Sequence, residues 1–239
     1  MRNRIYKKNV DVLRIENQKS LEIKMSQCYQ MYDNNIAREN ALIDLMVTEL
    51  IMHGKDANQI RQISQISKIL GLSLGLGTRY CDTLEKASKI YDIGNIAIAS
   101  EVYEKDDALS FEEFEGVKQH TLFGYDILQS QDLPSLQLGA VISREHHEWW
   151  NGGGYPSQLK SKEINIASRI VAVADTVGAL FRSRPGRSTW SYEKILEYLN
   201  TRATIQFDSD VIDVFLINQE AIHEILMTDL DTVPSAWYA

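Results

Sequence analysis

Cysteine and proline are scarce in this chain, and a surplus of positive charge is missing. Two cysteines among 239 residues, Cys28 and Cys81, stand far apart without a Cys-x-x-Cys pair. That excludes a disulfide framework and argues against a thiolate zinc site, so both are expected to be ordinary buried or interfacial thiols. No proline occurs before Pro134, and most apolar residues recur at spacings of three and four rather than alternating, the pattern of helices and not of strands. The net charge of −8 lacks the basic footprint of a DNA or RNA binder, so any phosphate recognition has to be local. No run reaches the ~18 to 20 apolar residues of a membrane-spanning helix, and the basic start Met1-Arg2-Asn3-Arg4 leads into polar sequence rather than a signal core. The sequence therefore predicts a cytoplasmic, all-α chain that neither binds DNA or RNA nor enters a membrane.

With 44% hydrophobic residues the chain can bury a real core. Its organisation reads as an N-terminal helical linker over residues 1–40, a helical domain over 41–227 and a C-terminal tail over 228–239. Leu21, Met25, Cys28 and Tyr32 keep a heptad-like step that Ile43, Met46 and Leu50 resume, suggesting one long or slightly broken helix over 10–52. Two readings of that stripe stand side by side: a helix packed on its own domain, or a parallel homodimer stalk. Further helices are expected at 40–53, 56–71, 77–91, 111–130, 135–147, 165–183, 191–200 and 209–227. Ser110 and Glu113 form a capping-box pattern, Pro134 suits a helix start, and Asp208 suits an N-cap. Asn151 to Asn165 lacks helical periodicity and reads as a loop.

The densest chemistry lies in His146-His147-Glu148-Trp149-Trp150-Asn151-Gly152-Gly153-Gly154-Tyr155-Pro156. Adjacent imidazoles with a carboxylate beside them offer metal ligands, and a glycine-rich turn lets backbone approach a phosphate or a partner. Each residue also has a plainer role: His120 as a solvated helix residue, Asp92 or Asp175 as a cap or ion-pair member, Trp149 and Trp150 as anchors for the loop. Taken with Tyr91-Asp92-Ile93-Gly94-Asn95, His120, the segment Arg169-Ile170-Val171-Ala172-Val173-Ala174-Asp175 and Thr204-Ile205-Gln206-Phe207-Asp208, the order and spacing resemble the HD-GYP family of metal-dependent cyclic-dinucleotide phosphodiesterases. The resemblance covers roughly residues 41 to 225.

The resemblance implies a helical bundle of the HD-domain type, to which the apolar spacing adds a long N-terminal helix. It implies a metal centre of Asp92, His120, His146, His147 and Asp175, taking one or at most two divalent ions of the Fe, Mn, Zn or Ni type. It places Arg184 and Arg187, in Arg184-Pro185-Gly186-Arg187, against nucleotide phosphates and Tyr155 against a guanine. It also makes Gly153, Gly154, Tyr155 and Pro156 a loop that docks signalling proteins such as a diguanylate cyclase domain. Several family positions are altered: Tyr91 stands for a metal-binding His, Asn95 for a Lys, Gly54 and Asn58 for a Glu and a His, and Gly178 for an Asp. His53 or Asp56 is a poor replacement ligand, because each helical residue turns by ~100°. The leading expectation is a degenerate member in cyclic di-GMP signalling that binds metal, nucleotide or partner with weak or no hydrolysis. The rivals are a working phosphodiesterase with a reduced metal site, and a docking domain with neither metal nor nucleotide.

Overall fold

The structure, a computed structural model, describes residues 2–31, 34–98, 102, 109–182 and 188–228, with the side chains of residues 2–14 and 31 outside that description. The helices are α1 (Arg2–Met31), α2 (Asn35–Met52), α3 (Ala57–Ser73), α4 (Thr78–Ala87), α5 (Phe111–Lys118), α6 (His120–Leu128), α7 (Pro134–Glu145), α8 (Ile166–Phe181), α9 (Tyr192–Arg202), α10 (Ser209–Ile217) and α11 (Gln219–Met227). Short 3-10 turns cover Ile93–Ala97 and Ser161–Glu163. Among the described residues there is no strand beyond one isolated bridge between Ala203 and Phe207, so the fold is all-α. No helix among them is long and apolar enough to cross a membrane.

Side-chain caps set most helix starts. Asn34, Asp56, Asn165, Ser191 and Asp208 each accept a backbone N–H from the first turn that follows, and Ser110 with Glu113 closes a full capping box. Asn34 breaks the expected 10–52 helix into α1 and α2. Two other expected helices are also divided. The Gln119 N–H turns back to Gly116 O at 3.1 Å, separating α5 from α6 so that His120 opens a new helix. The Asn218 side chain donates to Val214 O at 2.7 Å, competing with the backbone ladder and ending α10 before α11.

Two apolar cores result. Ile63, Ile66 and Leu70 of α3 pack with Leu84, Ile142, Val173, Val177, Phe207 and Phe215 in the first. Leu21, Met25 and Cys28 of α1 pack with Leu42, Met46, Leu50, Ile90, Ile93, Ile96 and Leu128 in the second. Full burial of each such side chain is worth about 1.5–3 kcal/mol. The heptad-like stripe of α1 therefore faces this chain's own core, and Asn17 Nδ2 donates to Ile96 O at 2.8 Å on the same side. Tyr32, the last member of that stripe, lies outside the described residues. Cys28 and Cys81 are free and buried.

Candidate metal centre

The two cores meet at residues 90–93: Tyr91 belongs to the first, Ile90 and Ile93 to the second. Asp92 sits on this seam, buried, in the turn that follows α4. Two glycines let α6 close on that turn. A Cβ at Gly94 would overlap the carbonyl of His120 and press on the N–H of Gly124, and a Cβ at Gly124 would overlap Ser143 Oγ. Backbone thus packs on backbone, and the first residue of α6, His120, is carried to Asp92.

His120 and His146 are buried and oriented from behind by main-chain carbonyls. His120 Nδ1 lies 2.6 Å from Val117 O; His146 Nδ1 lies 3.0 Å from Ile142 O and 2.9 Å from Ser143 O. A carbonyl can only accept, so each Nδ1 carries the hydrogen, and in the neutral tautomer that this selects the Nε2 lone pair faces forward. Those two Nε2 atoms are 3.3 Å apart, and they stand 3.5 Å and 3.6 Å from the same oxygen, Asp92 Oδ1. His147 completes the cluster, with ligand atoms of all three histidines within 4.8 Å of one another. Facing lone pairs with a carboxylate oxygen between them repel unless a cation joins them. Imidazole nitrogens with one carboxylate suit a divalent transition metal, so these residues fit the expected ion. Backbone acceptors behind ring nitrogens are the usual support of metal-binding histidines.

Electrostatics favour the ligating forms. Burial, partly offset by Asp92, holds His120 below the ordinary imidazole range. Burial, reinforced by His146 and His120, holds His147 well below it. Burial alone would push the Asp92 carboxyl up, but the Lys55 ammonium, with His120 and His146, overcomes this and holds it well below the usual carboxylate range.

Lys55 is the residue that sequence reasoning missed. Its ammonium pairs with Asp92 Oδ2, the oxygen turned away from the histidines. The reach is set by the end of α2. Gly54 takes a left-handed conformation, φ +89°, the Gly54 N–H donates to Ile51 O and the Lys55 N–H to Leu50 O, each at 3.0 Å. This is a Schellman closure with glycine just past the helix end. The sequence signal was present in Gly54-Lys55-Asp56, a helix stop followed at once by the N-cap of α3. The neighbours hold other posts: His53 is exposed with Nδ1 2.8 Å from Glu49 O, and Asp56 caps α3 and pairs with Arg182.

Tyr91 and Asp175 form the other side of the centre. The Tyr91 hydroxyl donates to Asp175 Oδ1 at 2.7 Å, while the ring meets His146 edge-on with centroids 4.8 Å apart. Of the five expected ligands, the structure brings Asp92, His120, His146 and His147 together and sets Asp175 against the phenol. Gly178 is buried on α8, where a Cβ would meet Ile63, so the altered family position is now a helix-packing contact. A cavity of about 250 Å³ opens beside His146, His147 and Asp175, walled by Trp149, Tyr198 and Gln206.

The glycine-rich loop is tied to this centre. Glu148, read from the sequence as a carboxylate beside the histidine pair, instead accepts from the N–H groups of Ser157 and Leu159 and holds the loop from within. A Cβ at Gly154 would overlap the backbone of residues 147–149, so the chain turns tightly enough for the Tyr155 N–H to donate to His147 O at 3.1 Å. Gly153 is exposed, and the Tyr155-Pro156 bond is cis. Tyr155 stacks on His147, centroids 4.8 Å apart. Trp149 and Trp150 are half-buried, and the Trp150 N–H donates to Gln206 O at 3.0 Å, joining the loop to the Thr204–Asp208 segment. Asn95 packs in the turn with its N–H on Asp92 O at 2.9 Å. Arg184 and Arg187 lie outside the described residues.

A family profile described as HD domain matches residues 19–211. Among curated proteins, a cyclic di-GMP phosphodiesterase of Thermotoga maritima is 31% identical over 190 residues, which make up 78% of this chain and 52% of that protein. The cyclic di-GMP phosphodiesterase response regulator RpfG of Xanthomonas campestris is 32% identical over 166 residues, 70% of this chain and 44% of that protein. The 3'3'-cGAMP-specific phosphodiesterase 2 of Vibrio cholerae is 28% identical over 209 residues, 82% of this chain and 40% of that protein. The chain thus spans about half, or less, of the length of these relatives. Among solved structures, a HDG"Y"P protein from Bdellovibrio bacteriovorus has the same fold, with a TM-score of 0.58 at 17% identity over 88% of this chain and 71% of that one.

Proposed function

The chain belongs to the HD-domain family, as a member of its HD-GYP group with Tyr91-Asp92 in place of His-Asp, and on that premise we propose that its role is regulatory rather than hydrolytic. It holds a divalent transition metal and a cyclic dinucleotide or a protein partner, with weak or no turnover. The ligand class is proposed because the relatives named above are phosphodiesterases of cyclic di-GMP or 3'3'-cGAMP.

The observation that carries this reading is the hydrogen bond from Tyr91 to Asp175 Oδ1. Phosphodiester hydrolysis needs an activated water and a stabilised leaving oxygen, a task suited to two cations ~3.5–4 Å apart. Here a phenol stands in place of an imidazole ligand and occupies an oxygen of the carboxylate opposite. In this reading His120, His146, His147 and Asp92 hold the ion, Trp149 and Tyr198 wall the cavity with aromatic surface where a base can stack, and Tyr155 backs His147 by stacking on it. The bound ion supplies a positive charge that polarises a phosphate oxygen. Arg184 and Arg187 are proposed to meet the phosphates, guanidinium groups being suited to two-point contacts. Residues 41–227 are proposed as the unit that does this, with residues 153–156 as the docking loop.

Incubation with cyclic di-GMP and anaerobic Fe(II), or separately Mn(II), followed by chromatography for linear product tests the proposal. His147→Ala serves as the blank. Product no greater than the blank is expected. Metal-dependent product that vanishes in His147→Ala would establish the working phosphodiesterase instead.

A further inference from the structure

Asp92 is a carboxylate with two different neighbourhoods. Oδ1 faces the His120 and His146 Nε2 atoms at 3.5 Å and 3.6 Å, while Oδ2 is taken by the Lys55 ammonium. The two-oxygen geometry that lets a carboxylate bridge a pair of cations is thus present, with one of the cations supplied by the protein. We infer that Lys55 is a built-in counter-ion that replaces a divalent ion on Asp92: it limits the centre to one bound ion and lets the chain fold without metal. The inference rests on the proposed binding of metal by the three histidines.

Three observations carry it. First, the pair is shielded, with Asp92 and Lys55 side chains 10% and 22% exposed. Removing one member of such a pair strands the other charge in a poorly hydrated place. Second, Lys55 is placed by backbone rather than by chance of a flexible surface chain. The left-handed Gly54 and the two closing hydrogen bonds to Leu50 and Ile51 fix where its stem leaves the main chain. Third, the opposite face of the centre is also satisfied from within, because Asp175 Oδ1 accepts from Tyr91. A second divalent ion approaching Asp92 would meet an ammonium on one oxygen, and like charges at that separation repel strongly where water is scarce. Asp92 Oδ1, by contrast, faces the His120 and His146 Nε2 atoms, ligands that one ion can share.

The test uses the full chain, stripped with a chelator and then reloaded with Mn(II) under anaerobic conditions. Ions per chain are counted by elemental mass spectrometry after gel filtration, and thermal unfolding is followed with and without Mn(II). Wild type is expected to keep one ion per chain and to change little in its fold on stripping. Lys55→Ala is expected to retain more than one ion, and its stripped form to melt roughly 10 °C lower, with added Mn(II) recovering most of the loss. Lys55→Arg is expected to resemble wild type in both readings. Lys55→Gln, which keeps a donor without the charge, gives the same comparison should the alanine variant fail to fold. Two ions in wild type would overturn the inference while leaving metal binding intact. So would stripped Lys55→Ala or Lys55→Gln that melts like wild type. A wild type that takes no ion would overturn the proposed metal binding and the one-ion count with it, while the melting of the stripped variants still reads Lys55 as counter-ion.

Discussion

Two sides of one centre have been finished in opposite ways. On the histidine side, the Nε2 atoms of His120 and His146 face each other at 3.3 Å with Asp92 Oδ1 beside them, and in the neutral rings all three are acceptors. On the far side, Tyr91 donates to Asp175 and Lys55 donates to Asp92 Oδ2, so the acceptors there already have protons pointed at them. The difference teaches that one cluster of carboxylates and imidazoles can be satisfied by protein donors on one side and left open to a cation on the other. On the satisfied side the carboxylates are met by an O–H and an N–H donor, where a cation could otherwise sit.

The largest expected effect comes from breaking the joint that holds the histidine side together. Gly94→Ala puts a methyl into the His120 carbonyl and must push α6 off the Asp92 turn. The expected cost is about 3 kcal/mol, read from urea unfolding, along with loss of the stabilisation by added Mn(II). Retained metal stabilisation would mean that His120 is not needed where the turn places it.

A smaller effect separates the two sides by pH. His147 and His120 both lie below the ordinary imidazole range when folded, chiefly through burial. As pH falls below about 6.5 the unfolded chain binds more protons than the folded one. Stability that is complete above that pH is therefore lost on acidification, by up to about 1.4 kcal/mol per pH unit for each histidine. Urea midpoints of the metal-free protein between about pH 7 and pH 5 should show this slope, and His147→Gln should flatten it. A slope unchanged in that variant would assign the effect to other groups. Asp92, held below the carboxylate range by Lys55, adds stability above about pH 4 that is lost only on further acidification.

The smallest effect sharpens the far side. Tyr91→Phe removes one hydrogen bond to a half-buried carboxylate, an expected loss of about 1 kcal/mol or less. It also releases Asp175 to a cation, so calorimetric titration should find tighter Mn(II) binding. Equal affinity in the two proteins would mean that the hydroxyl does not compete with metal.

Much of this molecule was legible beforehand, for identifiable reasons. Capping residues such as Ser110 with Glu113, Pro134 and Asp208 act within a single helical turn, and they begin α5, α7 and α10. His120, His146, His147 and Asp92 were legible through family spacing. The breaks at Gln119 and Asn218 were not, because each depends on a local hydrogen bond that competes with an otherwise good helical pattern. Lys55 was hidden because its approach to Asp92 depends on the φ of Gly54 and on a contact across 37 positions of sequence. Tyr91 was visible as a substitution, but its partner Asp175 depended on how α8 packs beside the seam. The role of Glu148 was hidden because adjacency to histidines says nothing about which way a side chain turns, and its carboxylate turns to the loop.

The left-handed turn at Gly54 also bears on how easily this centre is rebuilt. Gly54 stands where the related pattern carries a Glu, and its φ of +89° is one that side chains with a Cβ adopt only under strain. A Gly54→Glu exchange alone would loosen the helix end that aims Lys55 and set a new carboxylate on a distorted backbone. A change at Gly54, Lys55 or Tyr91 alone disturbs a partner, because the turn aims Lys55 at Asp92 and Tyr91 donates to Asp175. The turn, the lysine and the tyrosine are therefore coupled positions, to be altered as a set rather than one at a time.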